Sequence, residues 1–153
     1  IIVRTLSKSF SLAGLRIGFL FAHPEVVEGL LKLKDSYNVN ILSQIAGVAA
    51  LEGLSWVREN IYKIKKTREW FSQALENLGF QVLPSQANFV FVRKHSRESL
   101  EKVYQELKKR KILVRFFPEW KEWLRITIGK DQEMQVLLEN LKDILSRERN
   151  KSD

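Results

Sequence analysis

The sequence contains no cysteine and only two histidines, His23 and His95. The lack of cysteine excludes disulfides, thiol catalysis and cysteine-ligated metals, and two histidines argue against a histidine metal cluster. No apolar run approaches the roughly 18 residues that span a bilayer, and residues 17–22, the longest run, have the length of a strand. No signal peptide is visible. We therefore expect no metal site, no membrane segment and a cytoplasmic location.

The composition is otherwise that of an ordinary folded chain. Its 153 residues suffice for one domain or two small ones, and 44% hydrophobic with 29% charged residues exclude a disordered chain. The 26 basic and 18 acidic residues give a net charge of +8, which raises the question of nucleic-acid binding. The basic residues fall on predicted helix faces and ends and do not alternate with exposed aromatics. We interpret them as solvated helix faces and expect no nucleic-acid partner.

Hydrophobic periodicity predicts an alternation of helices and strands. In the first third it predicts strands at 1–4 and 17–22, the second of them buried, a helix opening at His23 and Pro24, and an alanine-rich, almost wholly buried helix over 41–51. Beyond it, the pattern predicts an amphipathic helix over 55–78 that ends at Gly79, strands at 80–83, 87–93, 112–116 and 124–128, a helix capped by Ser96 or Ser99, and a last helix capped by Asp131. The polar tail after Ser146 is expected to fray.

The order of these elements predicts a mixed α/β chain in two parts. From residue 55 onward, helices and strands alternate in a way that is typical of a compact α/β or α+β unit with a small sheet covered by helices. Residues 1–54 carry too few strands to close a core of their own. We therefore expect them to belong to a larger domain, or to lean on the second part or on a partner.

The densest functional pattern lies in residues 4–18. Lys8 is flanked by serines, and eight residues later Arg16 stands between Gly14 and Gly18. A lysine can form an imine with an aldehyde, whereas hydroxyls and a guanidinium brought back by a glycine-permitted turn suit a phosphate. Aldehyde and phosphate are the two groups that pyridoxal phosphate presents. On spacing alone, a surface loop with an arginine in an ion pair is an equal alternative.

The same segment resembles the lysine region of fold-type I pyridoxal-phosphate aminotransferases, and more narrowly that of the histidinol-phosphate aminotransferase family. Further segments resemble the family in the same order: the Tyr37–Gln44 loop with its alanine-rich helix, Ser85-Gln86-Ala87-Asn88-Phe89, Ile112-Leu113-Val114-Arg115 and Leu124-Arg125-Ile126-Thr127-Ile128-Gly129. The likeness covers roughly residues 1–145. It implies the C-terminal part of a fold-type I transferase, with the end of the large cofactor domain in 1–54 and the small α+β domain in 55–153.

The resemblance also implies roles for single residues. Lys8 would hold the cofactor, pyridoxal 5'-phosphate, through an imine bond and later move a proton between substrate and cofactor. Thr5, Ser7 and Arg16 would bind the cofactor phosphate.

For the substrate, the resemblance implies that Arg125 binds the α-carboxylate. Arg115 would meet the distal anion, which is the phosphate of histidinol phosphate or the side-chain carboxylate of glutamate. Asn88 would position the strand or the substrate near these arginines. An inter-strand ion pair is the structural alternative for each arginine, and Trp120 and Trp123 either wall the substrate pocket or pack the small domain.

The implied reaction is amino transfer between glutamate and imidazoleacetol phosphate in histidine synthesis, by a homodimer. The family's acidic partner for the pyridinium nitrogen and its stacking aromatic ring precede the lysine segment, and this sequence starts seven residues before Lys8. We therefore expect a C-terminal part that lacks transaminase activity alone. The alternatives are an aromatic aminotransferase, a threonine-phosphate decarboxylase, or a non-catalytic module that binds polyanions through its basic surface.

Overall fold

The computed structural model describes residues 1–94 and 100–152, and it describes side chains up to residue 147. The predicted helix start at Ser96 or Ser99 lies outside the described residues. The chain divides into two compact units, unit 1 being Ile1–Ile61 and unit 2 being Tyr62–Asp153. The predicted domain boundary at residue 54 stays a prediction.

Unit 1 begins with a two-stranded antiparallel hairpin. Strand β1, Ile2–Thr5, pairs with β2, Gly18–Phe21, and the pairing runs from Ile2 opposite Phe21 to Thr5 opposite Gly18. A 3-10 turn at Ala13–Leu15 lies in the connection. Helices α1, Pro24–Leu33, and α2, Ile41–Glu52, follow, and α3, Leu54–Asn77, begins in this unit and continues into unit 2.

Local chemistry explains where the helices of unit 1 begin. Proline at the first helical position and Glu25 in the first turn favour the start of α1, and the carbonyl of His23 accepts the amide protons of Val26 and Val27. Asn40 caps α2, since its side-chain oxygen accepts the amide proton of Ser43 at 2.9 Å. The prediction that His23 is a helix-start residue is confirmed.

The predicted burial of two elements of unit 1 is wrong. In β2 only Leu20 is even half-buried, and on α2 the side chains of Ile41 and Leu42 are 65% and 71% exposed. The α2 residues that are buried are Ser43 and Gly47. An apolar sequence indicates that a segment is stabilised by burial. It does not indicate whether the residues that bury it belong to the same chain.

Unit 2 is an α+β fold around one antiparallel sheet. After α3 come β3, Gln81–Val82; β4, Phe89–Arg93; α4, Glu101–Lys109; β5, Arg115–Phe116; β6, Trp123–Thr127; and α5, Asp131–Ser152. The strand order is β3-β4-β6-β5, and every neighbouring pair is antiparallel. The elements predicted beyond residue 55 are therefore confirmed within the described residues, with β3 and β5 shorter than expected.

Strand alternation gives the sheet of unit 2 one core face. Val90 and Val92 of β4 and Leu124 and Ile126 of β6 are buried. They join apolar side chains that recur at helical spacing on α3, α4 and α5, among them Phe71, Leu75, Val103, Leu107, Leu137 and Leu141. The alternate strand positions lie on the other side of the sheet, which we call the open face: Phe89, Phe91 and Arg93 of β4, Trp123, Arg125 and Thr127 of β6, and Arg115 of β5.

Both ends of α5 differ from expectation. The carbonyl of Lys130 accepts the first helical amide proton, from Met134, and the Glu133 carboxylate binds the Lys130 amide at 2.8 Å. Lys130 is therefore the N-cap, and the prediction that Asp131 caps the helix is wrong. The Asp131 carboxylate instead accepts hydrogen bonds from Thr67 and Trp70 of α3. At the other end the helix continues to Ser152, past the point where fraying was expected.

Candidate functional site

The segment that carries Lys8 forms a closed loop on the hairpin of unit 1. We call residues 5–18 the lysine loop. The amide of Leu6 donates to the carbonyl of Ile17 at 3.3 Å, which closes the base, and the amide of Leu12 donates to the carbonyl of Leu6 at 3.1 Å. Lys8 and Arg16, the two residues that the sequence singled out, therefore lie on one loop near the same base.

Two hydroxyl groups meet at the start of the loop. The Thr5 hydroxyl donates to the Ser7 hydroxyl at 2.8 Å, and the amide of Ser7 donates back to the Thr5 oxygen at 3.1 Å. Lys8 follows directly and is exposed. The structure thus brings together the two hydroxyls that the resemblance assigned to a phosphate.

Arg16 sits in the left-handed backbone region, with φ at 51°. Its guanidinium donates to the carbonyl of Ala13 at 3.0 Å, so the side chain folds back over its own turn. The prediction that a glycine permits the turn at Arg16 is wrong, because the positive φ angles of this loop belong to Ser11 and Arg16 and not to Gly14 or Gly18. Gly18 serves another purpose: a Cβ there would lie 2.8 Å from the carbonyl oxygen of Arg4 on the paired strand.

The donors of the lysine loop fit the phosphate end of pyridoxal phosphate. A phosphate dianion needs several hydrogen-bond donors, and the loop supplies a guanidinium, the Ser7 hydroxyl, and the Thr5 hydroxyl once its proton turns from Ser7 to the anion. A guanidinium carries five N–H groups, so its bond to Ala13 leaves capacity for an anion. The hydrogen-bond donors of the lysine loop are therefore of the kind that the phosphate of pyridoxal phosphate requires.

A cavity of about 890 Å³ lies beside the base of the loop in unit 1. Its walls include Leu6, Ile17 and Phe19 together with the Tyr37–Asn40 segment and one side of α2. Lys8 and Arg16 do not line it. That their side chains converge on the two ends of one small molecule stays a prediction.

In unit 2, Arg115 and Arg125 lie directly opposite each other on the open face. Arg125 of β6 is the register partner of Arg115 on β5 and of Phe91 on β4. Each arginine therefore faces the other or an aromatic ring across the sheet, which departs from the inter-strand ion pair considered as the alternative. Two like charges at directly opposed positions repel, and an anion bound to both would relieve that repulsion.

Aromatic rings surround this arginine pair. The guanidinium carbon of Arg125 is 5.2 Å from the centre of the Phe89 ring, and that of Arg115 is 5.5 Å from the centre of Phe117. Trp123 stacks on Phe91 with ring centres 4.5 Å apart. Both guanidinium groups are therefore held against ring faces, which limits their motion and leaves their edges available to a ligand.

Trp120 completes the aromatic group without entering the core. Its ring lies 5.6 Å from Phe117 and 6.1 Å from Phe91, and 56% of the residue is exposed. Trp120 and Trp123 were considered either as walls of a substrate pocket or as packing of the small domain. The structure places both rings on the open face, together with the arginines. Phe91 and Phe117 belong to the same aromatic group, although the sequence analysis did not single them out. The alternation along β4 would have indicated Phe91.

Asn88 lies at the entry of β4, directly before Phe89, whose ring centre is 5.2 Å from the guanidinium carbon of Arg125. Its carbonyl accepts the amide proton of Ile128 at 2.9 Å, whereas the strand partner of Arg125 is Phe91, three residues further along. Arg68 of α3 holds the segment before β4, because its guanidinium donates a hydrogen bond to the carbonyl of Ala87 at 2.6 Å. The structure therefore places Asn88 in the same ladder as Arg125.

The described part of the chain shows neither a membrane-spanning helix nor a cluster of metal-ligating side chains. None of the helices in residues 1–94 and 100–152 is long and apolar enough to cross a lipid bilayer. In the same part of the chain, histidine, aspartate and glutamate side chains form no group of the size that holds a metal ion.

Comparison with known families identifies the class of protein. The model for class I and II aminotransferases matches residues 1–141. The chain belongs to the family of class I and II aminotransferases.

Individual relatives narrow the resemblance. The histidinol-phosphate aminotransferase of Gluconacetobacter diazotrophicus is 46% identical over 152 residues, which cover 96% of this chain and 42% of that enzyme. That of Geotalea uraniireducens is 47% identical over 146 residues, 94% of this chain and 42% of the enzyme. The predicted resemblance to histidinol-phosphate aminotransferases is confirmed, and the chain spans about 42% of the length of these curated relatives.

Solved structures show the same fold. The histidinol-phosphate aminotransferase of Clostridium acetobutylicum superposes with a TM-score of 0.84 at 26% identity, covering 95% of this chain and 45% of that one. That of Sinorhizobium meliloti, in complex with pyridoxal-5'-phosphate, gives 0.77 at 25% identity, covering 93% and 41%. The prediction of part of a fold-type I transferase is confirmed.

Proposed function

We propose that the protein containing this chain catalyses amino transfer between glutamate and imidazoleacetol phosphate, with pyridoxal 5'-phosphate as cofactor. The products are 2-oxoglutarate and histidinol phosphate, and the reaction runs in either direction. The observation that carries the proposal is the pair of arginines directly opposed on β5 and β6, because both substrates bring anionic groups that such a pair can bind. The relatives named above, at 46% and 47% identity, support the same activity.

In this proposal the lysine loop holds the cofactor. Thr5, Ser7 and Arg16 bind the phosphate through two hydroxyls and a guanidinium. Pyridoxal phosphate, when bound, supplies a ring that withdraws electrons from the substrate's α carbon. The Nζ of Lys8, as a neutral amine, would take the proton from that carbon as general base and deliver it to the cofactor as general acid.

The open face binds the substrate in this proposal. Arg125 takes the α-carboxylate of glutamate, and Arg115 takes the distal anion, which is the glutamate side-chain carboxylate or the phosphate of histidinol phosphate. Asn88, whose carbonyl accepts the amide proton of Ile128 just after β6, positions that strand or the substrate near the arginines. The rings of Phe89 and Phe117 hold the two guanidinium groups at fixed positions, so that less conformational entropy is lost when an anion binds.

The proposal extends to the organisation of the whole protein. Residues 1–54 would belong to the large cofactor domain and residues 55–153 to the small domain. A homodimer in the cytoplasm is the expected assembly. Apolar side chains exposed on unit 1, such as Ile41, Leu42 and Ile45 of α2, support an association of this kind, since neighbouring exposed apolar side chains often mark an interface.

Steady-state kinetics of the full gene product test the reaction and the substrate together. We expect turnover with glutamate and imidazoleacetol phosphate, and a much lower kcat/KM with a keto acid that has an aromatic ring but no phosphate. Arg115→Ala should reduce kcat/KM for the phosphorylated substrate by about 100-fold, the loss of a charge-assisted bond, while Arg147→Ala on α5 serves as the matched loss of one positive charge.

The same measurements distinguish the alternatives. A preference for the unphosphorylated aromatic substrate, unaffected by Arg115→Ala, would identify an aromatic aminotransferase. Release of carbon dioxide from a phosphorylated amino acid would identify a decarboxylase. The absence of all turnover, together with nucleic-acid binding that weakens strongly with salt, would favour the polyanion-binding alternative.

A further inference from the structure

Helix α2 has two buried residues, and both contact the segment around Arg16. Ser43 and Gly47 are one helical turn apart, so they lie on the same face of α2. Their neighbours Leu42 and Val48 are exposed. The buried face of this helix is therefore narrow, and it consists of a serine and a glycine where an apolar helix would be expected to bury its larger side chains.

Ser43 makes a specific contact with the residue that precedes Arg16. Its hydroxyl donates to the carbonyl of Leu15 at 2.7 Å, and the residue is only 1% exposed. The side-chain amide of Asn40 donates to the same hydroxyl at 2.9 Å. Because Asn40 occupies one side of the hydroxyl as a donor, the serine proton is directed to Leu15.

Gly47 contacts the residue that follows Arg16. A Cβ at Gly47 would lie 2.9 Å from Cδ1 of Ile17 and 3.7 Å from Cδ1 of Leu6, so glycine allows α2 to approach the base of the lysine loop. The carbonyl of Ile17 is also fixed, since it accepts the amide proton of Leu6 at 3.3 Å. The chain is thus held immediately before and immediately after Arg16.

Arg16 needs such support because its backbone is left-handed. This conformation costs a non-glycine residue of the order of 1 kcal/mol or more, and it persists where the surroundings over-determine it. Relaxation to a right-handed conformation would turn the arginine side chain away from its present direction. Bonds to Leu15 and packing on Ile17 oppose that relaxation.

We propose that Ser43, oriented by Asn40, is a positioning residue that holds Arg16 in its left-handed conformation for the cofactor phosphate. The inference rests on the proposed function, since it takes the phosphate of pyridoxal phosphate as the ligand of Arg16. Ser43 itself does not touch the cofactor in this proposal. Its effect is therefore confined to binding that depends on the phosphate.

Equilibrium dialysis of the full gene product with pyridoxal phosphate and with pyridoxal, which lacks the phosphate, tests this directly. Ser43→Ala should raise the Kd for pyridoxal phosphate by about three- to tenfold, the effect of losing one hydrogen bond, and leave the Kd for pyridoxal unchanged. In an Arg16→Ala background the serine substitution should have no further effect. Ser55→Ala, the same loss of a hydroxyl at an exposed position on α3, is the control and should change neither Kd.

A second variant covers the case in which Ser43→Ala does not fold. Asn40→Asp keeps the oxygen that caps α2 but replaces the amide donor by an acceptor, so the Ser43 hydroxyl turns away from Leu15. It should show the same phosphate-dependent loss. A parallel loss for pyridoxal phosphate and pyridoxal in both variants, or an additive effect in the Arg16→Ala background, would overturn the positioning role.

The dialysis also separates this inference from the proposed function. A wild-type protein that binds neither compound, or binds both equally well, would contradict the proposed cofactor site and the inference with it. A wild-type protein that prefers pyridoxal phosphate through Arg16, but is insensitive to Ser43 and Asn40, would overturn the inference alone.

Discussion

Arg115 and Arg125 show how two single residues can oppose folding at a proposed binding site. They face each other directly on β5 and β6, and like charges at such positions destabilise a sheet by roughly 0.2–1 kcal/mol. The rings of Phe117 and Phe89 offset part of this cost, because each guanidinium lies over a ring face. The pair is thus least favourable when no anion is bound between its members.

This cost leads to a prediction about stability. Arg115→Gln should increase the free energy of unfolding by up to about 1 kcal/mol in a buffer without multivalent anions, because it removes the repulsion. Urea unfolding followed by tryptophan fluorescence measures the change. The control is Arg147→Gln, which loses a bond to Asp143 at 3.0 Å and should leave stability unchanged or slightly lower.

Inorganic phosphate provides the second arm of that measurement. It should stabilise the wild type more than Arg115→Gln and so reduce the difference between them. The account of the arginine pair would be wrong if Arg115→Gln proved less stable than Arg147→Gln in phosphate-free buffer.

At the scale of elements, Asp131 connects α5 to α3 within unit 2. Its carboxylate accepts the hydroxyl proton of Thr67 at 2.7 Å and the indole proton of Trp70 at 2.9 Å. The hydrogen bond from Thr67, followed by that from Trp70, lowers the pKa of Asp131 below its ordinary value of 3.8. The first turn of α5 is therefore tied to the middle of α3 by an ionised carboxylate.

The lowered pKa predicts how this connection depends on pH. A carboxyl whose pKa is lower in the folded state stabilises the fold above the unfolded value of 3.8, and that stabilisation is lost as pH falls through the folded pKa. Thr67→Val should therefore reduce the free energy of unfolding at neutral pH, and its difference from the wild type should shrink below about pH 4. Thr127→Val, on the open face, should show no such pH dependence; equal curves for both variants would contradict the assignment.

The helices and strands of unit 2 could be predicted because the spacing of apolar residues along a short stretch of sequence indicates each of them. The alternation of Val90 and Val92 with Phe91 predicts a strand with one buried face, and Gly79, with φ at 81°, ends α3 as the sequence indicated. Asp131 shows the limit of such reasoning. An aspartate before an apolar run is typical of an N-cap, but the hydrogen-bond donors on α3 are distant in sequence and competed for its carboxylate.

Helix α2 shows the same limit for the candidate site. Its apolar composition predicted the helix, but it also predicted that the large side chains would be buried. The residues that contact the lysine loop are the small ones, Ser43 and Gly47, because the loop approaches the helix closely. Residue type and spacing single out Lys8 and Arg16 as candidates. The proposed role of Ser43 depends on its hydrogen bond to the carbonyl of Leu15, which no sequence pattern indicates.

At the scale of the whole molecule, the two units differ in how they are stabilised. Unit 2 has a continuous core drawn from its sheet and helices. In unit 1 the large apolar side chains that are buried are Leu6 and Val57, while those of α2 are exposed. The family match nevertheless runs from residue 1 to residue 141, across both units. Of the candidate residues, Lys8 and Arg16 belong to unit 1, and Arg115 and Arg125 belong to unit 2.

The position of covalent cofactor attachment tests this account most directly. The full gene product would be equilibrated with one equivalent of pyridoxal phosphate, reduced with borohydride, digested and mapped by mass spectrometry. We predict that the reduced cofactor is found on Lys8 in the wild type, and that labelling at this position falls in Arg16→Ala. Labelling spread over exposed lysines such as Lys63 and Lys142, with none preferred, would contradict the assignment of Lys8 and the function derived from it.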